Sequence, residues 1–588
     1  MKKISLRTSL LLTTSLLLFA GCDQNSDVQS DGSSDDVISS YSPSKMETPP
    51  PTLSGSFLAA QFAQDRSDWE SASTYFSKIL DSAPAESDIQ RRLMALQMGS
   101  GHYDQAMAMA EKISKSDTKD KALANLLLSL STFKAGKFDE SLKIVANYKT
   151  DALGIAILPL LKTWAEAGQG TTNIAELKDS PSLLYQAVLV AAYTKNKEAL
   201  AQLAKSYDFT KTPTPVSRLE DIALIFAHFG ETEEAKSIYD ALKSGVPERT
   251  ALYDTQIKNI ESNTLPPLPK QLSSPQVGLS EAIFDMAQIL SHGYQDSARL
   301  FAHMSLYLNA DNAASYELLA QIASDNKLYT EATAYLSRID TSNDPDRKIQ
   351  IQRQIAQLQV SAGHPDEAIR ILETIIDAKQ NVDAQIQIGD IYRSQDDFKN
   401  ALKAYNKAYD FLGGTITAKY WDLSFARGMT NERLKNWDQA EKDLQTALLF
   451  EPDQPYVLNY LGYSWADQGI NLDKAAEMIE KAVRLKPDDG AIVDSLGWIY
   501  FRMGQYDKAV ATLEKAIQLA PTEPELNDHL GDAYWNVGRK SEAKFQWKRA
   551  ASFTTDQALI AKIQTKIDNG LPDAVAAKPK TEKVVENK

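Results

Sequence analysis

Three lines of sequence decide the fold: YVLNYLGYSWADQG at 456–469, AIVDSLGWIYFRMG at 491–504 and ELNDHLGDAYWNVG at 525–538. They are near copies of one unit, and a fourth, weaker copy starts at Trp421. Gly428, Gly462, Gly497 and Gly531 recur at spacings of 34, 35 and 34 residues, each beside a helix-type apolar pattern. Downstream of them come Ala440, Ala475, Ala509 and Ala543, then Ala447, Ala482, Ala516 and Ala550, and Pro452, Pro487 and Pro521 close the first three units. Small residues at fixed places are what two closely approaching helices need. A repeat of this length therefore encodes a helix–turn–helix unit that buries its apolar face by stacking on its neighbours.

A fixed period with Leu-Gly, a later Tyr, two Ala and a closing Pro resembles the tetratricopeptide repeat. The resemblance implies an all-α helical-hairpin solenoid, or superhelix, of roughly 12–13 helix pairs. Working outward from 421–551, weaker copies precede it. Trp69, Ala72, Phe76 and Pro84 fit a first unit, Leu93, Gly101, Tyr103 and Ala106 a second, and Leu128, Gly136 and Phe138 a third in which Ser141 replaces the small Ala. The pattern thins over 146–215 and returns at Ile222, Ala223, Gly230, Ala235 and Tyr239. Pro266, Pro267, Pro269 and Pro275 cannot sit in helix interiors. Residues 53–262 thus read as an N-terminal array, 263–278 as a connector that is either a hinge or a packed loop, and 279–571 as a C-terminal array. Its last helix, from Asp556 to Ile567, puts Leu559, Ile560, Ile563 and Ile567 on one face, with Lys562, Gln564 and Lys566 turned away, as befits a solvating cap. Residues 572–588, rich in Ala, Lys, Glu and Pro, read as a disordered tail.

A chain of 588 residues exceeds one ordinary core. A solenoid escapes that limit because each repeat needs only its neighbours. The net charge of −15 argues against a phosphate-binding surface, so no nucleic-acid partner is expected. The one cysteine, Cys22, rules out internal disulfides and Cys-based metal clusters. It follows a positive segment (Lys2, Lys3, Arg7), a short apolar run from Leu10 to Phe19, and the small pair Ala20-Gly21. This resembles the lipobox of bacterial lipoproteins, with Phe19 in place of the usual Leu. The resemblance implies a signal peptide over 1–21 and lipidation of Cys22, the alternative being an ordinary secretory signal. Residues 22–52, rich in Ser and Asp and ending in Pro49-Pro50-Pro51, read as a flexible tether. The body would then face the periplasm. Family resemblance favours the outer membrane, whereas Asp23 after the cysteine resembles an inner-membrane retention signal.

Nothing in the chain carries catalysis. The six histidines show no metal-ligand spacing, and there is neither a phosphate loop nor a nucleophile elbow. No enzyme, cofactor, metal or small-molecule substrate is expected. Binding is another matter. In the tetratricopeptide repeat the first helix of each pair lines the concave face. With the repeat glycine at position 8, positions 2, 5, 9, 12 and 13 project into the groove. The residues picked out as a protein-binding surface are Tyr456, Asn459 and Tyr463; Asp494, Trp498, Phe501 and Arg502; and Asp528, Asp532, Trp535 and Asn536. Exposed aromatics among polar neighbours suit a protein anchor, although Trp498, Phe501 and Trp535 are open to the plainer reading of packing between repeats. His529 reads as a packing residue. Asp494 and Asp528 would repel a terminal carboxylate, which excludes a clamp for acidic chain ends and leaves an apolar, polar-neutral or basic partner.

The runs 456–465, 494–498 and 527–535 also resemble a proteobacterial family of repeat lipoproteins. In at least one lineage such proteins act as adaptors for a periplasmic carboxyl-terminal processing protease that degrades cell-wall hydrolases. That resemblance implies a non-catalytic adaptor, whose partners are a protease and its substrates. The alternative is an assembly scaffold for envelope machinery, such as outer-membrane protein insertion or polysaccharide export.

Overall fold

Each strong repeat starts and stops where its residues demand. Pro455 and Pro524 open the helices Pro455–Gln468 and Pro524–Asn536, at positions where the missing amide breaks no bond. Gly469 ends the first of these in the left-handed region at φ 70°. Gly504 and Gly538 hold the same place at φ 74° and 85°, and in the weaker copy Lys435 takes it at φ 64°. The computed structural model describes residues 52–571, apart from 85, 118–120, 147–151, 179 and 212–213. The signal segment, Cys22, almost all of the tether and the tail over 572–588 lie outside the described residues. Those described form 30 α-helices and five short 3-10 helices, with no strand among them.

Packing divides the chain into two compact units, residues 1–351 and 352–588. The second is a plain succession of hairpins: Val382–Ser394 with Phe398–Phe411, Trp421–Arg433 with Trp437–Phe450, Pro455–Gln468 with Leu472–Leu485, Gly490–Arg502 with Tyr506–Leu519, and Pro524–Asn536 with Lys540–Ser552. Every repeat alanine named above is fully buried. The repeat glycines are equally constrained. A Cβ at Gly497 would lie 2.5 Å from Leu513, and one at Gly531 2.4 Å from the Trp547 ring. The hairpin can close only where the first helix has no side chain.

The first unit departs from a simple stack. Its helices Leu53–Asp65 to Phe138–Val145 pair as expected, and Ser141 meets Ser129 through a buried hydroxyl contact of 2.8 Å. Over 146–215, however, Ala152–Gly168 is followed by the single turn Ala175–Lys178 instead of a full second helix. Then the chain returns on itself. Gln295–Leu308 packs against Ser87–Gly99, and Pro275–Leu290 against Ala152–Gly168 and Leu184–Tyr193. Arg299 donates to the Gly99 carbonyl at 2.8 Å, and His303 lies between the Tyr103 and Tyr335 hydroxyls at 3.2 and 3.1 Å.

The segment 263–278 is therefore not the seam between compact units. Pro275 begins a helix, where proline is at home, and the Ser274 hydroxyl caps it by accepting from the Val277 amide. His228 holds the preceding loop through the Pro266 carbonyl at 2.7 Å.

A candidate protein-binding groove

In residues 352–588 the first helices of successive hairpins stand side by side: Pro455–Gln468 touches Gly490–Arg502, which touches Pro524–Asn536. Before them lies a cavity of about 800 Å³. One side carries Arg393, Arg433 and Lys435 together with Asp396 and Glu432; the other carries Tyr463, Asp467 and Glu525. Phe398, Met429, Trp437 and Tyr460 supply apolar wall. The aromatic rings are fixed by their polar ends. Tyr460 donates to Glu432 at 3.1 Å and Tyr463 to Glu525 at 3.2 Å. Burial first, then Glu525 and Asp494, push the Tyr463 phenol well above its ordinary value, so it remains a donor.

The predicted residues separate into two groups. Tyr456, Asn459, Tyr463, Asp494, Trp498 and Asp528 share the inner face of three adjacent helices. Tyr456 is 48% exposed, whereas Asp494 is only 4% exposed. The Asp494 carboxylate accepts from His529 at 2.9 Å, and Trp498 is sandwiched between His529 and Phe501 at centroid distances of 4.1 and 4.9 Å. Burial alone would strip the proton from His529. Asp494, with Glu525 and Asp532, outweighs burial and lifts its pKa to about 9, leaving an imidazolium at neutral pH. His529 is thus a packed residue, and its charge fixes Asp494 in place.

The second group serves the fold. Asp532 is buried, accepts from Trp547 Nε1 at 2.9 Å, and shares the Lys566 ammonium with Asp528 at 2.9 and 2.7 Å. Lys566 comes from the terminal helix Gln557–Asn569. The expectation that it faces away is corrected: it turns inward because two carboxylates on the preceding inner helix require a cation. Burial works against its charge, and Asp532 and Asp528 more than offset that, raising its pKa. Trp535 is covered by the same helix end. It lies 5.4 Å from the Trp547 ring, and a Cβ at Gly570 would meet it at 1.9 Å. Asn536 donates to the Asp532 carbonyl at 2.9 Å, and Arg502 to the Asp467 carbonyl at 2.9 Å. Packing is the outcome for Trp535. Trp498 and Phe501 are half-buried in a stack that lies on the inner face.

The walls that sequence reasoning missed obey the same rule two repeats earlier. With Gly428 at position 8, Met429, Glu432 and Arg433 fall on positions 9, 12 and 13; with Gly389 there, Arg393 falls on position 12. Glu525, position 2 of its own unit, and Asp467, position 13 of the Gly462 unit, are among the groove-facing positions that the repeat itself picks out. Among the described residues no three His, Cys, Asp or Glu side chains gather as a metal site, and no helix is long and apolar enough to cross a membrane.

Comparison with known proteins agrees with the repeat. A family model described as tetratricopeptide repeat matches residues 63–130. Another, described as the C-terminal domain of cilia and flagella-associated protein 70, matches 313–563. The TPR repeat-containing protein PA4667 of Pseudomonas aeruginosa is 30% identical over 194 residues, which is 33% of this chain and 32% of that protein. The BBSome complex member BBS4 of Bos taurus is 32% identical over 109 residues, 18% of this chain and 20% of that protein. The chain thus spans about a third and a fifth of the lengths of these relatives. Among solved structures, the APC/C hetero-tetramer Cut9-Hcn1 is 16% identical, covering 88% of this chain and 96% of that chain with a TM-score of 0.38.

Proposed function

Taking the chain as a tetratricopeptide-repeat protein, we propose that it is a non-catalytic adaptor, tethered in the bacterial envelope by lipid on Cys22 and facing the periplasm. It holds a carboxyl-terminal processing protease together with cell-wall hydrolase substrates. The observation that supports binding is the 800 Å³ groove of residues 352–588, where aromatic rings and charges of both signs surround open space. Repeat proteins use such inner faces for partners, and TPR proteins bind other proteins. The protease and its substrates are supported by the family resemblance of the runs 456–465, 494–498 and 527–535, and the anchor by the lipobox-like run that ends at Cys22. An adaptor of this kind adds no chemistry. Joining two proteins on one chain raises the effective concentration of one at the other.

The test is cross-linking and pull-down of the full chain in its own envelope, wild type against Tyr463→Ala. A processing protease captured by wild type and lost from the variant is the expected result; an unchanged partner set removes the groove from the proposal. A strain lacking the protein should accumulate cell-wall hydrolases. Unchanged hydrolase levels would leave a binding protein and discard the protease role.

A further inference from the structure

Beside the cavity-lining Glu525 and Tyr463, Asn459 Oδ1, Asp494 Oδ1 and Asp528 Oδ1 are buried acceptors without a partner among the described residues. They come from three adjacent first helices, on which Trp498 Nε1 is the one buried donor likewise unpartnered among the described residues. Buried acceptors are almost always satisfied, so three at equivalent positions of consecutive repeats call for a donor. Charge points the same way. Asp494, Glu525, Asp528 and Asp532 are four carboxylates, and His529 and Lys566 are the two cations bonded among them. Formal bookkeeping leaves an excess of two negative charges beside Glu525, whose side chain is 67% exposed and lines the cavity. Tyr463 spans this place, reaching from its own helix to Glu525 two repeats on.

At the other end of the groove Arg433 lies 5.7 Å over the Phe398 ring, with no carboxylate within salt-bridge distance among the described residues, while Arg393 and Lys435 on the same wall are paired with Asp390 and Glu432.

Resting on the reading of this groove as a protein-binding surface, we propose that it takes an extended partner segment of fixed polarity. A lysine or arginine enters between Asn459, Asp494 and Glu525, displacing the Tyr463–Glu525 contact, and an aspartate or glutamate lies over Arg433. The cationic side chain supplies donors to Asn459 and Asp494 and offsets the excess charge beside Glu525. A planar or multi-donor head group suits three acceptors held on separate helices better than one amide would. The clash of Asp494 and Asp528 with a carboxylate, anticipated from sequence, becomes a positional rule: acids are excluded from this end and accepted at the other.

The test is a phage-displayed library of random dodecapeptides panned on the full chain. Enriched peptides should carry Lys or Arg at a constant separation from Asp or Glu. In a synthetic copy, Lys→norleucine should weaken binding about tenfold. That penalty should vanish on Glu525→Gln protein, and the penalty for neutralising the acid should vanish on Arg433→Gln protein. Both side chains are at the surface of the groove, so the variants should keep the wild-type helical circular dichroism. No enrichment, no charge preference, or equal penalties on wild type and variants overturns the proposal. If the full chain still captures partners through Tyr463 in that case, the groove stands and its polarity falls.

Discussion

Arg427 stands where the following repeats have Leu461, Leu496 and Leu530. It is buried, and its guanidinium grips Asp443 through two bonds, Nε to Oδ2 at 2.9 Å and Nη2 to Oδ1 at 2.6 Å. Asn431 and Gln439 add donors to the same carboxylate at 3.2 and 3.0 Å, and the Tyr409 ring lies 4.1 Å from the guanidinium. The later repeats place Met478, Thr512 and Gln546 opposite their leucines. In the next repeat the corresponding pair is Leu461 with Met478, so this place accepts an apolar pair, and desolvation takes back most of the ion pair's attraction. Arg427→Leu alone should cost about 3–5 kcal/mol, because Asp443 is left buried and unpaired. Arg427→Leu with Asp443→Met should return close to wild type. Urea unfolding of the wild type and the two variants decides it, and a double variant no better than the single one would show that the ion pair has no apolar substitute. His529 makes a second claim at this scale. Its folded pKa, about 9, lies above its ordinary value of about 6.5. Its contribution is therefore complete below about pH 6.5 and is lost as pH rises through 9. Stability of the last repeats should fall by on the order of 2 kcal/mol across that window, and His529→Gln should flatten the slope. A wild-type profile flat from pH 6.5 to 9 would show the imidazole to be neutral.

The turn after each first helix sets the next step. Lys435 adopts φ 64° where the three following repeats have glycine. A side chain there costs about 1 kcal/mol, so Lys435→Gly should raise stability by a similar amount against the entropy that glycine adds to the unfolded chain. A loss of stability would mean that the lysine stem contributes packing absent from this reasoning. The terminal helix Gln557–Asn569 is held by Ile563, which is fully buried, and by Lys566. Its role as a cap was legible in the spacing of Leu559, Ile563 and Ile567, because burial of an amphipathic face is a local pattern. The inward turn of Lys566 was not, since nothing in its own helix records the two aspartates opposite. The same division runs through the site. The period fixes which residues share a face, and so puts Tyr463, Asp494 and Trp498 on adjacent first helices. It could not tell that Asp532, Trp535 and Arg502 are consumed by contacts within the fold. Nor did it reach Arg393 and Arg433, whose repeats carry weaker motifs under the same rule. Alanines and glycines of the repeats were read correctly since each answers to a partner one helix away.

The two units differ in how far apart in sequence their contacts lie. Residues 352–588 contact mostly the next helix or the next inner helix, which is the condition for stability to be a sum of local terms. Residues 53–351 are closed by contacts that no local pattern encodes. Arg299 reaches Gly99 and Ser67, Tyr103 meets His303, and the Lys134 ammonium lies 4.2 Å over the Tyr307 ring. Arg299 is buried, pairs with Glu331 and lies 5.0 Å from the Trp69 ring, so one side chain ties three hairpins. Closure of this kind makes unfolding collective, because no hairpin in the ring can leave without breaking contacts about 200 residues away in sequence. The consequence is a contrast between two single substitutions. Arg299→Ala removes a buried cation, leaving Glu331 with only the Tyr335 hydroxyl, and the Gly99 and Ser67 carbonyls without this donor, a cost on the order of 3 kcal/mol. Hydrogen exchange should record it as lowered protection throughout 53–351. Lys566→Ala costs about 2 kcal/mol through Asp528 and Asp532, and its effect should fade within one or two hairpins of the terminal helix. If Arg299→Ala loosens only Gln295–Leu308 and its immediate neighbours, the first unit is a stack like the second, and its long-range contacts lie on the surface of its stability instead of at its centre.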